Sequence, residues 1–171
     1  MFPKYIKLIL ALGGLSYSAY QFVEGFIGNG IALALLGGIF ILLYYKNELI
    51  FLAFLRLRKE DLNGAQKWLS KIKYPKSSLV GKQYGYFLFL QGLIESQNNL
   101  NKAEKLFRSA LEKGLRYKHD RAMAKLNLAG IYMQKRRKRE ASKLLTEAKK
   151  LDKHGMLTQQ LKLMRQNLKK F

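Results

Sequence analysis

The chain has no cysteine. Disulfide frameworks, thiolate zinc sites and cysteine nucleophiles are therefore excluded. Histidine is almost as scarce. Only His119 and His154 occur, and neither has a second histidine at ligand spacing. His119 stands beside Asp120 at a helix start and reads as a surface residue. His154-Gly155 reads as a helix end, where an imidazolium is mildly favoured. Catalytic motifs are missing too: there is no GK[ST] phosphate loop, no HExxH, no GxSxG and no paired carboxylates on one predicted face. "GKQYGYF" (81–87) holds Gly-Lys but lacks the following hydroxyl residue and the upstream strand. No catalytic residue, cofactor site or metal site is expected, and the chain does not read as an enzyme. Acids are also few. The 171 residues hold 32 Lys and Arg against 11 Asp and Glu, a net charge of +21. That excess favours polyanionic partners, either nucleic acid or the anionic face of a membrane.

The charge is unevenly spread. Residues 1–45 carry only Lys4, Lys7 and Glu24, so nearly all of the excess lies in residues 46–171. The split marks two different solvents. "FIGNGIALALLGGIFILLYY" (26–45) has no charge over 20 residues. At about 1.5 Å per residue it spans the roughly 30 Å hydrocarbon core of a bilayer. "KLILALGGLSYSAYQFV" (7–23) is apolar but includes Ser16, Ser18 and Gln21. Two readings stand. The favoured one is a first membrane helix over about 5–23, forming a transmembrane hairpin (1–46) with the second. Gly13-Gly14 would then face Gly37-Gly38, letting the backbones approach. The other is a signal peptide cleaved after Ser16-Tyr17-Ser18, behind the basic start at Lys4 and Lys7.

Orientation follows from the cations. Lys4 and Lys7 precede the first segment, Lys46, Arg56, Arg58 and Lys59 follow the second, and the connecting "EGFIGNG" has none. The positive-inside bias places both ends in the cytoplasm. An integral protein of a bacterial inner membrane is expected, with its basic part cytoplasmic. The second segment runs into "NELIFLAFLRLRK" without proline or glycine, which predicts one long or slightly bent helix through the junction.

The remainder repeats. "LNGAQKWLSKI" (62–72), "LNKAEKLFRSAL" (100–111) and "KREASKLLTEAK" (138–149) share Ala65, Ala103 and Ala141, spaced 38 and 38. Four residues later come Leu69, Phe107 and Leu145, and three further on Ile72, Ala110 and Ala148. That spacing is one face of an amphipathic helix. An apolar segment precedes each: 48–59, 85–97 and 122–134. Asp61 and Asp120 are suitable N-caps, Gly114 and Gly155 suitable C-terminal residues, and Pro75 breaks the chain after the first pair.

These residues resemble the tetratricopeptide repeat (TPR). The third repeat matches through Leu128, Ala129, Tyr132, Ala141, Leu145 and Ala148. The second matches through Phe87, Leu90, Ile94, Ala103, Phe107 and Ala110, with Gln91 where a small residue belongs. The first has Arg56 at the tyrosine position. The period is 38 rather than 34, and the terminal proline is absent. The resemblance implies an all-α fold: a TPR-like α-α solenoid of three helix pairs (47–153), sealed by a C-terminal capping helix (154–171) whose Leu157, Leu161, Met164 and Leu168 share a face. It also implies a groove lined by Leu88, Gly92 and Glu95 in the second repeat and by Met123, Leu126, Gly130 and Met133 in the third. These positions are mostly apolar, which suits an apolar protein segment, unless the C-terminal helix fills the groove. Tyr84, Tyr86, Phe87 and Phe89 read as core rather than as a base-stacking platform.

The five cations Lys135, Arg136, Arg137, Lys138 and Arg139 fall in the turn between the third pair's helices. They read as a solvated turn, the sharper alternative being a basic turn that touches headgroups or an acidic partner, and replacing all five with Gln is expected to leave the fold intact. The leading expectation is a membrane-anchored scaffold or adaptor that binds a protein partner at the cytoplasmic face. The alternative is a membrane-tethered basic module that binds nucleic acid, a ribosome or anionic headgroups, with nucleic acid the less favoured partner.

Overall fold

The computed structural model describes residues 4–45 and 47–170. Among the described residues the only regular secondary structure is ten helices, with no strand. α1 (Lys4–Val23) and α2 (Ile27–Tyr45) pack side by side. The chain reverses at Gly25, whose φ of +84° is open to glycine at no steric cost. Close approach then depends on small residues. Ala11 is buried, and a Cβ added to Gly14 would stand 3.7 Å from the Gly37 Cα. Gly13 and Gly38 meet nothing within 4 Å, so only one glycine of each doublet serves the contact. The Ser18 hydroxyl donates to the Gly30 carbonyl across the seam at 2.6 Å. Among the described residues one segment, Tyr5–Val23, is long and apolar enough to cross a bilayer by length and composition; the apolar run of α2, Ile27–Leu42, is shorter.

The expected continuous helix through the junction is not what forms. Asn47 is extended (φ −68°, ψ 122°) and caps a new helix, α3 (Glu48–Arg58). Its Oδ1 accepts from the Leu49 N–H at 3.0 Å and the Ile50 N–H at 3.4 Å. Asparagine competes with the helical ladder through its own side chain, so it starts a helix more readily than it continues one. Lys46 lies outside the described residues.

α3 packs on α4 (Leu62–Ser70), α6 (Lys82–Glu95) on α7 (Leu100–Lys113), and α8 (Lys118–Gln134) on α9 (Lys138–Leu151). In each pair the alanine of the second helix and the apolar residues four and seven later are buried, all nine side chains, with Ile72 two residues past the end of α4. Phe107 and Leu145 are wholly enclosed. Successive pairs stack: α6 meets both α3 and α4, and α8 meets α7. The link between the first two pairs contains a single helical turn, α5 (Pro75–Ser78), with proline at its first position, where no N–H is needed.

Caps set the boundaries. The Asp61 carboxylate accepts from the Gly64 N–H at 2.7 Å and starts α4. Asp120 does not cap α8, which begins two residues earlier; instead it accepts the Tyr86 hydroxyl from α6. Gly114 ends α7 at φ +87°. Gly155 is also left-handed (φ +70°) but lies past the end of α9, where Asp152 instead accepts from the Met156 and Leu157 N–H groups. The last helix, α10 (Thr158–Lys170), packs on α8 and α9 with Leu161 and Leu168 buried.

The turns inside the pairs reveal a register. In the first pair Lys59, Glu60 and Asp61 separate the helices; in the third, Lys135, Arg136 and Arg137 do. Glu60 (φ 60°) and Arg136 (φ 58°), the middle residues, are both left-handed. The Asp61 N–H donates to the Arg56 carbonyl and the Arg137 N–H to the Tyr132 carbonyl, an identical closure. First and third pairs thus superpose at an offset of 76. The second pair has four residues between its helices, 96–99, and no left-handed one. One extra residue rotates the upstream helix by about 100° relative to the alanine register.

Candidate partner surface and the basic turn

Burial follows that rotation. At an offset of 39, Gly85, Phe87, Phe89, Leu90, Gly92 and Ile94 of α6 match Ala124, Leu126, Leu128, Ala129, Ile131 and Met133 of α8, and all are buried. Tyr84, Tyr86 and Gln91 match Met123, Lys125 and Gly130, and all are half-buried. The counterparts of Met123, Leu126, Gly130 and Met133 are therefore Tyr84, Phe87, Gln91 and Ile94. Leu88 and Gly92, expected from the sequence to line a groove, stand one position from these counterparts. Leu88 is buried. Gly92 faces its own pair partner, since a Cβ there would lie 2.9 Å from Cε1 of Phe107. Glu95 is half-buried and accepts from Lys102 Nζ at 2.5 Å.

On α8 the expected surface is partly occupied. Leu126 and Met133 are buried and Met123 is half-buried. A Cβ on Gly130 would stand 3.0 Å from Cε of Met164 on α10. Gly130, Met133 and Gln134 share a cleft of about 450 Å³ with Met164, Asn167 and Lys170. The C-terminal helix thus lies against α8 at Gly130.

The basic turn is divided. Arg136, Lys138 and Arg139 are exposed, but Lys135 and Arg137 reach back to the second pair. Both engage Glu104, which follows the repeat alanine on α7 and is buried. Lys135 Nζ lies 2.5 Å and Arg137 Nη1 3.3 Å from its carboxylate, and Arg108 adds a third contact at 3.0 Å. Lys135 also donates to Asn101 at 2.6 Å. Tyr132 completes the cluster. Its hydroxyl accepts from Arg108 Nε at 2.9 Å, and the Arg137 guanidinium lies 4.6 Å from its ring centroid. Burial pushes the Glu104 pKa up, but the hydrogen bond and charge of Lys135, with the charge of Arg108, outweigh it and hold the carboxyl below its ordinary value. The purely solvated turn expected from the sequence is corrected accordingly: two of its cations are structural ties between neighbouring pairs. A lone acid beside the repeat alanine was the available signal, and periodicity alone could not say which cations it would meet.

A second tie joins α6 to α8. Burial, then the hydrogen bond to Asp120, pushes the Tyr86 phenol far above its ordinary pKa, so it remains a hydrogen-bond donor. The aromatic run on α6 is mostly interior: Phe87 and Phe89 are buried, and Phe89 meets Phe107 at 5.9 Å between ring centroids. Trp68 is half-buried beneath Lys71, whose Nζ lies 3.9 Å from the ring centroid. Among the described residues no cluster of three His, Asp or Glu side chains could hold a metal ion. The chain matches no protein-family model, and comparison with curated proteins and with solved structures gives no significant match.

Proposed function

We propose that the chain is a membrane-anchored scaffold: α1 and α2 form a transmembrane hairpin, and the stacked pairs form a TPR-like solenoid that binds a protein partner at the cytoplasmic face. The observation that carries the anchor is the outward face of α1 and α2. Ile9 is 65% exposed, Leu12 59%, Leu35 66% and Leu42 60%, a surface suited to lipid rather than water. Aromatic residues sit towards both ends, Tyr5 and Tyr44 at one and Tyr17, Tyr20 and Phe26 at the other, as interfacial belts do. Lys7 pairs with Glu48 at 2.6 Å, and the Gln83 amide donates to the Tyr44 carbonyl at 3.3 Å. Both contacts hold the base of the hairpin against the helix pairs.

The scaffold part is supported by the repeated turn, the stacking order and the polar-backed α10. The half-buried face carrying Tyr84, Gln91 and Met123 is the surface we assign to a partner. Because Lys135 and Arg137 are engaged within the fold, the basic run is a weaker nucleic-acid footprint than its sequence suggests. Deleting residues 1–46 should move the remainder to the soluble fraction after a high-salt wash; retention in washed membranes would refute the anchor. A photo-crosslinker at Gln91 or Met123 in native membranes should capture a protein, and capture of nucleic acid instead would favour the basic-module alternative.

A further inference from the structure

The outer face of α3 is unpartnered. Phe51 is 57% exposed, Phe54 44% and Leu55 37%, at i, i+3 and i+4 on one side of the helix, while Leu49, Ile50 and Ala53 face the core. The repeat register accounts for Leu55. At the offset of 76 it corresponds to Ile131, which is only 3% exposed in α8, while Phe51 and Phe54 correspond to the half-buried Asn127 and Gly130. α8 has α7 packed before it; α3 is the first helix of the first pair, and no pair precedes it. A stacked array needs a polar outer face at each end. α10 supplies one at the C-terminal end, with Gln159, Gln160 and Lys162 exposed. The N-terminal end shows aromatic and aliphatic side chains instead.

We infer that a lipid surface covers this end: α3 reclines in the interface of the bilayer that holds α1 and α2, with Phe51 and Leu55 at the acyl boundary. This rests on the anchoring reading above. Three observations favour lipid over a protein occupant. The face is continuous with the anchor, since α3 starts three residues after α2 ends and its Glu48 is paired to Lys7 of α1. The Asn47 cap frees α3 from the axis of α2, so it need not project straight out. Charge matches as well. Residues 56–76 hold seven cations and two acids, and at the C-terminal end of α3 Arg56 and Arg58, with the adjoining Lys59, are exposed. Apolar side chains rimmed by Lys and Arg on one helix are what an interfacial helix presents to anionic headgroups.

The chain's lack of cysteine makes the test direct. Single spin labels are placed at Phe51→Cys and Leu55→Cys in the full chain, with Leu35→Cys and Gln160→Cys as references. Each is reconstituted into phosphatidylcholine vesicles containing a minority of phosphatidylglycerol. Accessibility to oxygen and to a water-soluble nickel chelate is then measured. The ratio of oxygen to nickel accessibility at positions 51 and 55 should exceed that at 160 several-fold and fall below that at 35. A ratio at 51 and 55 equal to that at 160, with 35 still high, would overturn the inference and leave the anchor standing. Exclusion of both reagents at 51 and 55 would also overturn it, because protein rather than lipid would cover the face. A ratio at 35 as low as that at 160 would remove the anchor, and this inference with it.

Discussion

Replacing Lys135 with Gln should destabilise the protein, although Lys135 belongs to a run of five cations that looks expendable. The magnitude follows from exposure. The Glu104 side chain is 12% exposed and that of Lys135 24%, whereas Arg137 and Arg108 are 39% and 49% exposed. Removing one partner of a fully buried ion pair costs about 3–5 kcal/mol, and exposed pairs contribute about 0–1. This pair is intermediate, and two guanidiniums remain near the carboxylate. The expected loss is about 1–2 kcal/mol, in the range of a hydrogen bond to a charged group. For a chain of this size that lowers Tm by roughly 2–8 °C, measured by circular dichroism in detergent. Arg136→Gln and Arg139→Gln, both exposed, should shift Tm by far less. The pH dependence supplies a second check. The folded-state pKa of Glu104 lies below its ordinary value, so its stabilisation is present above the ordinary carboxylate range and is lost as pH falls through the folded-state value. The gap between wild type and Lys135→Gln should therefore be full near neutral pH and close in acid. Equal losses for Lys135→Gln and Arg139→Gln, or a gap that persists unchanged in acid, would refute the role given to Glu104.

Gly92→Ala separates the two registers of α6. A methyl there would stand 2.9 Å from the enclosed Phe107 ring, so overpacking should cost about 1–3 kcal/mol in urea or thermal unfolding; a groove-facing glycine would instead gain up to about 1 kcal/mol from helix propensity. Asn47→Ala should lose about 0.5–2 kcal/mol as the N-cap of α3 disappears, read by thermal unfolding, with Asn47→Asp close to wild type. Tyr86→Phe leaves the Asp120 carboxylate without the phenol and should cost about 1 kcal/mol by the same measurement.

The second helix of each pair was legible because it is amphipathic: Ala103, Phe107 and Ala110 fall on one stripe, with charges elsewhere, and that stripe is the buried one. The first helices were harder to phase. In α6 the run from Phe87 to Leu90 is buried on every side, so periodicity gives no direction, and a turn longer by one residue goes unseen. Gly92 accordingly faces Phe107 of its own pair, whereas Met123 and Gly130, in the pair with the shorter turn, stay half-buried. Asn47 was readable in principle as a cap followed by an acid, but apolar continuity on both sides hid it. The ties of Glu104 and Tyr86 join residues 31 and 34 positions apart, and a single sequence does not encode such pairings visibly.

The spanning hairpin is tested most directly by labelling Glu24→Cys and Gln160→Cys, one at a time, with a membrane-impermeant maleimide in intact spheroplasts. Position 24 lies at the turn between α1 and α2, and position 160 is exposed on α10. The account predicts that position 24 is labelled from outside and position 160 only after permeabilisation. Protection of position 24 in intact spheroplasts, or labelling of position 160 before permeabilisation, would contradict it.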